Sequence, residues 1–339
     1  METIDWKSLS FGYIKTNYNV RCYYKDGKWS EPEISDSETI NIHMAATCLH
    51  YGQEAFEGLK AYMGADGKVR IFRIEENAKR LQKSAHGIMM ADVSIDLFKE
   101  AVLKAVNLNR EYIPPYGTGG SLYIRPLLFG SGPKIGIQPS EEYMFVVFVM
   151  PCGSYFKEGF KPVKVQTFRD IDRAAPQGTG NIKVGGNYAA SLRALERAHD
   201  EGFSTALFLD AKEKKYIDEA GPANFFAIKD NTYVTPKSDS ILPSITNMSL
   251  CALAEDMGLK VERRPIPFDE LGSFQEVGAC GTAAVISPIC QISDRDTGKT
   301  YNYCTGGNAG PISTKLYNRL RAIQYGEEDD KFGWNIVLD

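Results

Sequence analysis

Residues 178–188 read GTGNIKVGGNY, and this stretch carries the strongest sequence signal for the fold. Lys183 stands there among four glycines, between Ile182 and Val184 and just before a predicted helix. Because lysines are rarely buried, a solvated loop lysine is the commoner outcome. The alternative is a lysine desolvated by its apolar neighbours, whose pKa falls and whose free amine attacks an aldehyde to form a Schiff base.

Strands and helices mix on both sides of this stretch. Before residue 150, the apolar patterns predict strands at 18–24, 61–63, 69–72, 121–129 and 143–150, and helices at 75–89 and from Ser94. After residue 160, they predict strands at 162–168, 205–209, 225–228 and 232–235, and helices at 188–200, 246–257 and 313–323. Strand and helix do not alternate strictly, so the predicted fold class is α+β, or mixed α/β.

Residues 151–159, PCGSYFKEG, interrupt this pattern with proline and glycine and are the best candidate for a linker. A chain of 339 residues is long enough for about two domains. The sequence therefore predicts a small N-terminal α/β domain over 1–150, an interdomain linker over 151–159 and a large C-terminal domain over 160–339.

The charge balance and the apolar runs exclude several classes of protein. Lys and Arg number 39 against 43 Asp and Glu, a net charge of −4, so no basic surface for nucleic acid is expected. The longest apolar run, 143–152, is too short for a bilayer span, and the acidic N-terminus lacks the apolar core of a secretory signal. We therefore expect neither a nucleic-acid nor a membrane partner.

The cysteines and histidines show no framework of their own. Seven scattered cysteines without a C-x-x-C pair fit reduced thiols in a cytoplasmic protein. The four histidines have no metal-ligand spacing, so no metal site is predicted. The chain also lacks the P-loop, the G-x-S-x-G nucleophile elbow and the H-E-x-x-H zinc motif.

Two segments of the second half have both a structural and a functional interpretation. Residues 216–226, YIDEAGPANFF, place carboxylates among aromatic and small residues. They form either an exposed turn or a partner for a heterocyclic nitrogen. Residues 242–247, LPSITN, enter a helix, so their hydroxyls could cap it, or its first N–H groups could bind phosphate.

Two more segments are equally ambiguous when each is taken alone. Residues 278–284, GACGTAA, are small enough for a tight strand turn or for a backbone that approaches a ligand closely. In 121–126, SLYIRP, Tyr123 and Arg125 are two positions apart on a strand and share a face. That face forms either a surface ion pair or a site for a carboxylate.

Together with the strings FEGLKA at 56–61, LYIRP at 122–126 and KVGGNY at 183–188, these segments resemble the fold type IV pyridoxal-phosphate enzymes. Among them, the chain is most similar to the branched-chain amino-acid aminotransferases, from Phe11 to Gly326. The resemblance implies a two-domain aminotransferase that forms a homodimer. Its reaction would exchange the amino group between L-leucine, L-isoleucine or L-valine and 2-oxoglutarate by a ping-pong mechanism.

The resemblance also implies which residues bind the cofactor, pyridoxal 5'-phosphate. Lys183 would form the Schiff base and shuttle the proton, and Glu219 would pair with the pyridine nitrogen. Tyr188 would bind the phenolic oxygen. The phosphate would be bound by Arg80, by the backbone of Ile245 and Thr246, and by Thr282.

The implied substrate pocket has an apolar and a polar part. Aliphatic side chains require an apolar wall, the distal carboxylate of glutamate requires hydrogen bonds, and tyrosine offers both. The candidates for the wall are Phe11, Tyr51, Phe56 and Tyr155, and those for the distal carboxylate are Tyr51, Tyr123 and Arg125. The backbone of Thr282 and Ala283 would contact phosphate or the α-carboxylate of the substrate.

The chain departs from the family pattern at two places. Three residues after the pyridine glutamate, many members carry a threonine, whereas this chain has Pro222, which offers a substrate carboxylate neither a hydroxyl nor an N–H. The C-x-x-C of animal-type members is replaced here by residues 284–287, AVIS, so no thiol switch is predicted there.

Two other functions are compatible with parts of the pattern. One is another fold type IV enzyme, a D-amino-acid aminotransferase or an aminodeoxychorismate lyase. The Tyr123 and Arg125 face and the chain length favour the branched-chain enzyme over these. The other is a non-catalytic binding protein that has kept the fold, and Lys183 and Glu219 argue against it because neither is needed for packing.

Overall fold

The computed structural model describes residues 4–153, 160–304 and 306–339. Most of the predicted linker, including Tyr155, lies outside these ranges. The chain forms two compact units. The first combines Met1–Lys157, Ile182–Gly185 and Ala322–Asp339, and the second combines Glu158–Asn181 and Gly186–Arg321. The predicted domain boundaries stay a prediction.

Both units contain strands and helices, which confirms the α+β, or mixed α/β, prediction. The strands are Asn19–Lys25 (β1), Lys28–Trp29 (β2), Glu33–Ser35 (β3), Glu54–Phe56 (β4), Leu59–Met63 (β5), Val69–Phe72 (β6), Ser121–Gly130 (β7), Tyr143–Cys152 (β8), Val163–Thr167 (β9), Thr205–Leu209 (β10), Ile217–Ala220 (β11), Ala223–Lys229 (β12), Thr232–Pro236 (β13), Lys260–Arg264 (β14), Glu276–Gly281 (β15), Val285–Asp294 (β16), Thr300–Asn302 (β17) and Asn335–Leu338 (β18). The α-helices are Thr47–Tyr51 (α1), Ile74–Gly87 (α2), Ile95–Asn107 (α3), Gly185–Asp200 (α4), Ile245–Asp256 (α5) and Pro311–Tyr325 (α6).

The first unit is built on an antiparallel sheet. Its strands follow the order β18-β6-β5-β7-β8-β1-β2, with β3 paired to β1 and β4 paired to β7. The predicted apolar stripes of two helices are buried in the same core as the sheet, among them Leu81 on α2 and Phe98 on α3. As predicted, Ser94 caps α3, where its Oγ accepts a hydrogen bond from the N–H of Leu97 at 3.1 Å.

The second unit has a mixed sheet that closes on itself. Its strands follow the order β11-β10-β9-β16-β15-β12-β13-β14, and β17 pairs with β16. Strand β9 runs parallel to β10 and β16, and β13 runs parallel to β14. Because β11 pairs with β12 as well as with β10, six strands form a ring, and a closed ring has no unpaired edge.

Three parts of the second unit differ from the prediction. Helix α4 begins at Gly185 rather than at Tyr188, because the low helix propensity of two adjacent glycines concealed its first turn. Strand β11 occupies a segment for which an exposed turn was the simpler interpretation. Residues 260–302 form four strands of which only a turn at 278–284 was predicted, because glycines and Pro288 interrupt the strand pattern.

The described ranges give three further observations. None of their helices is both long and apolar enough to cross a membrane. They hold no group of three or more His, Cys, Asp or Glu side chains placed to bind a metal ion. All seven cysteines lie within them as free thiols.

Candidate active site

Lys183 is held through its backbone by two elements of the first unit. Its N–H donates to Ser84 Oγ on α2 at 2.9 Å, and its carbonyl accepts from the N–H of Phe56 at 3.1 Å. The next residue, Val184, forms an antiparallel bridge with Ala55. Strand β4 and helix α2 therefore fix the position from which the lysine side chain projects.

The surroundings of the Lys183 amine disfavour its positive charge. Desolvation by burial, together with the nearby guanidinium of Arg80, lowers the pKa of Lys183 to about 8. The carboxylate of Glu57 acts in the opposite direction. Lys183 Nζ lies 4.5 Å from the centroid of the Phe56 ring. A fraction of the amine is consequently unprotonated near neutral pH and able to act as a nucleophile or base.

Arg80, predicted to bind phosphate, is oriented by a buried carboxylate. Its Nε and Nη2 donate to the two oxygens of Glu57 at 2.7 and 2.8 Å, and Glu57 is fully buried. Asn77 Nδ2 also donates to Glu57, at 2.7 Å. Sequence reasoning missed Glu57, although it stands inside the FEGLKA string that marked the region. A two-point contact with a carboxylate fixes the plane of the guanidinium.

The structure brings together four of the residues predicted for the substrate. Arg125 Nη2 donates to the hydroxyl of Tyr123 at 3.1 Å, and the Arg125 guanidinium lies 4.7 Å from the centroid of the Phe56 ring. Phe11 packs edge-to-face against Tyr123 with ring centroids 4.9 Å apart. Arg125 Nε is buried and has no hydrogen-bond partner among the described residues. A buried donor of this kind suits a carboxylate ligand.

Two other predicted substrate residues are not placed with this group. Tyr51 ends α1, is 42% exposed, and donates its hydroxyl to the carbonyl of Ile135. Tyr155 lies outside the described residues.

Glu219, in the second unit, is a buried carboxylate surrounded by hydrogen-bond donors. It lies on β11 with 2% of its surface exposed. One oxygen, Oε1, accepts from the N–H of Leu242 at 2.6 Å and from Asn224 Nδ2 at 3.4 Å, and it lies 3.7 Å from Arg173 Nη2. All three neighbours favour the ionised carboxylate. Sequence reasoning missed Arg173, which lies 46 positions from Glu219 and carries no local motif.

Asp218, the preceding residue of the same strand, has a different environment. Its Oδ2 accepts from Ser240 Oγ at 2.9 Å, while burial raises the pKa of Asp218. Of these two adjacent buried carboxyl groups, Asp218 is thus the one for which the effect of burial exceeds that of its hydroxyl donors. The interpretation of 216–226 as an exposed turn is wrong for both.

The LPSITN segment forms a capped helix terminus. Ser244 Oγ accepts from the N–H of Asn247 at 3.2 Å, and Ile245 and Thr246 are the first two residues of α5. The N–H groups of a first helical turn have no partner within the helix and favour an anion.

Tyr188, Thr282 and Ala283 complete the predicted residues of the second unit. Tyr188 lies half-buried in the first turns of α4. Thr282 and Ala283 lie half-buried in the turn between β15 and β16. The turn ends at Val285, whose φ of 64° is an outlier for a β-branched residue. Such strain clusters at ligand-binding sites and marks this turn as a candidate.

Comparison with known proteins gives consistent matches. The family model described as "Amino-transferase class IV" matches residues 54–292. The chain is 44% identical to the branched-chain-amino-acid aminotransferase of Haemophilus influenzae over 346 aligned residues, which cover all of both chains.

Solved structures of similar fold give the same result. The crystal structure of the Escherichia coli branched-chain amino acid aminotransferase matches with a TM-score of 0.80 and 28% identity, covering 95% of this chain and 99% of that one. The T.th. branched-chain amino acid aminotransferase, complexed with N-(5'-phosphopyridoxyl)-L-glutamate, matches with a TM-score of 0.76 and 27% identity, covering 96% and 99%.

Proposed function

The chain belongs to the class IV aminotransferase family, and from this premise we propose that it exchanges the amino group between L-leucine, L-isoleucine or L-valine and 2-oxoglutarate. The predicted family, fold type and enzyme class are confirmed by the comparisons. The observation that carries the proposal is Lys183, an amine whose pKa is lowered to about 8 within a segment fixed by β4 and α2.

Pyridoxal 5'-phosphate is the cofactor that we propose. The donor set fits it, because the chain offers a desolvated amine, a buried carboxylate ringed by donors, an oriented arginine and a capped helix terminus. The relative complexed with a phosphopyridoxyl compound supports the same choice. When bound, the cofactor supplies an aldehyde for an amine and an electron-withdrawing ring for the substrate α-carbon.

Lys183 would hold and move the proton of the reaction. Its neutral amine is a base of moderate strength, suited to taking a proton from the substrate α-carbon near neutral pH and returning it. An ordinary lysine, with a pKa near ~10.4, would be almost wholly protonated at that pH and could not accept the proton.

The remaining predicted residues would bind and orient the cofactor. Glu219, kept ionised by its donors, would accept a hydrogen bond from the protonated pyridine nitrogen. Tyr188 would donate to the phenolic oxygen. The phosphate would be bound by Arg80, by the first N–H groups of α5 at Ile245 and Thr246, and by Thr282.

The group of aromatic residues around Arg125 would bind the substrates. Phe11 and Phe56 offer apolar surface to an aliphatic side chain, and the buried Nε of Arg125 with the hydroxyl of Tyr123 offers donors to a carboxylate. Tyr51 and Tyr155 stay predictions, as does binding of the α-carboxylate by the Thr282 and Ala283 backbone. The complex of one relative with N-(5'-phosphopyridoxyl)-L-glutamate, a compound that carries two carboxylates on its glutamate part, supports a carboxylate site.

We also propose that two copies of the chain associate. The first unit exposes a patch of large apolar side chains: Met44, Leu49, Tyr51, Ile135 and Ile137, of which Ile137 is 88% exposed. Exposed apolar surface of this kind marks association sites. Ile137→Asp should convert a dimer to a monomer in sedimentation velocity, and a monomeric native protein would contradict the proposal.

The cytoplasmic location stays a prediction.

The test is the visible absorption of the protein loaded with pyridoxal 5'-phosphate. L-Leucine should remove the visible band as the amino group is taken up, and 2-oxoglutarate should restore it. A band that responds to D-alanine alone would move the assignment to another fold type IV enzyme. A protein that binds no cofactor would refute the proposal.

A further inference from the structure

We propose that Glu54 is a positioning residue whose carboxylate holds the backbone N–H of Gly185 and thereby fixes the segment that carries Lys183. The inference deepens the proposed function and rests on it, because Lys183 is the reacting amine there. In this role Glu54 acts through the backbone of Gly185 and not on the reacting atoms.

The contact involves a close fit between the two residues. Glu54, half-buried on β4, accepts a hydrogen bond from the N–H of Gly185. The position that a Cβ on residue 185 would take is occupied by Glu54 Oε1. Gly185 does not have a positive φ, so its backbone alone would accept alanine. A methyl group on residue 185 would therefore have to displace the Glu54 carboxylate, although the backbone itself would accept it.

Glu54 is one of three consecutive residues that contact the lysine segment. The backbone of Ala55 bridges to Val184, and the N–H of Phe56 bonds to the carbonyl of Lys183. The two backbone contacts would remain if the Glu54 side chain were removed. Its loss should therefore shift or loosen the segment without unfolding the unit.

The position of Gly185 at the start of a helix explains why its N–H needs an acceptor from outside that helix. Gly185 is the first residue of α4, and no acidic residue lies in the first turn of that helix. The first N–H groups of a helix have no partner within it and carry a partial positive charge. Glu54 supplies a hydrogen-bond acceptor for one of these groups from strand β4. Burial raises the pKa of Glu54, so the side chain pays a desolvation cost that the hydrogen bond offsets.

The first experiment compares two replacements of Glu54 with a matched control. Glu54→Val removes the acceptor and Glu54→Gln retains it. The control, Glu76→Val, removes another half-buried glutamate of the same unit, whose ion pair is with Lys79. Backbone hydrogen exchange of peptides covering 182–188 is measured in the cofactor-free protein. We expect exchange at least about tenfold faster for Glu54→Val, and within about twofold of wild type for the other two.

Steady-state kinetics separate positioning from simple destabilisation. Glu54→Val should lower kcat about tenfold, while KM for L-leucine changes less than about twofold and the thermal midpoint stays near that of wild type. Glu54→Gln should restore most of kcat. If Gln is as damaging as Val, or if Val changes neither exchange nor kcat, the positioning role is wrong.

A double-mutant cycle tests the close fit directly. Gly185→Ala should lower kcat about tenfold in the wild-type background, because its methyl group displaces the carboxylate and so removes the same contact as Glu54→Val. In a Glu54→Ala background the methyl group has room, so the same change should cost less than about threefold. Equal costs in both backgrounds would overturn the inference.

Failure of the proposed function would look different. A wild-type protein that never transfers an amino group would refute that function, yet hydrogen exchange in the cofactor-free protein would still decide whether Glu54 holds Gly185.

Discussion

Lys183 and Glu219 are both withdrawn from water, and their surroundings act on charge in opposite ways. Around Lys183, burial and the nearby cation of Arg80 disfavour the ammonium and lower its pKa to about 8. Around Glu219, a backbone N–H, an amide and the guanidinium of Arg173 favour the carboxylate. Burial alone thus does not decide ionisation, because the donors around Glu219 favour the charge that burial disfavours.

The largest effect should follow from deleting the amine. Lys183→Ala should lower kcat with L-leucine and 2-oxoglutarate by at least about a thousandfold, because the proposed function assigns the transfer of the α-proton to this amine. Circular dichroism should show an unchanged fold. The matched control is Lys164→Ala, which removes an exposed lysine on β9 and should leave kcat unchanged. Retained turnover in the Lys183 variant would refute the assignment.

The second prediction removes the negative charge of Glu219, the other buried group in this comparison. Glu219→Gln retains the shape but not the anion, and it leaves Arg173 without a carboxylate at 3.7 Å. We expect kcat to fall about a hundredfold, with faster loss of cofactor on dialysis. Asp218→Asn is the matched control, since burial already raises the pKa of that carboxyl, and its effect on kcat should be below about fivefold. Equal losses of kcat in the Glu219 and Asp218 variants would show that the two carboxylates do not differ in their contribution to activity.

The pH dependence of Lys183 sharpens the comparison. In the cofactor-free protein, only the unprotonated amine reacts with an acylating reagent, so modification should rise with pH around a midpoint near 8. Arg80→Met removes a cation that lowers the pKa, and the midpoint should rise by about half to one unit. Glu57→Gln removes an anion that raises it, and the midpoint should fall. Mass spectrometry of the peptide that contains Lys183 measures the midpoint of acylation in the wild-type protein and in both variants. Shifts of the same sign would contradict this electrostatic account.

A buried carboxylate outside the candidate site, Glu276, should have the smallest effect on activity. Glu276 accepts from the N–H groups of Ile312 and Ser313 at 2.9 and 2.8 Å and so caps α6. Glu276→Ala should reduce the free energy of unfolding by about 2 kcal/mol, measured in urea, and leave kcat within about twofold. Glu262→Ala, an exposed glutamate paired with Arg264, is the control and should change neither.

The sequence predicted those parts of the site that are encoded locally. The lysine segment, the Ser94 and Ser244 caps and the shared face of Tyr123 and Arg125 follow from spacings of a few residues. The partners of these groups could not be predicted in the same way. Glu57 meets Arg80 across 23 positions, and Glu54 meets Gly185 across 131 positions, so only the folded chain reveals them.

The same distinction applies to the fold. Long amphipathic helices such as α2 and α3 were predicted within two or three residues, because a buried stripe is a local pattern. Strands β14 to β17 were not predicted, because glycines and Pro288 interrupt the strand pattern in this region. Strands β14, β15 and β16 pair with β13, β12 and β9, partners that the local sequence does not reveal.

The first unit is built from separate stretches of the chain, so its parts are not synthesised one after the other. The first unit takes its lysine segment from residues 182–185 and its edge strand β18 from residues 335–338. A ribosome produces almost the whole second unit before it reaches that edge strand. The sheet of the first unit is therefore completed late in translation, and until then strand β6 has an exposed edge for a chaperone to protect.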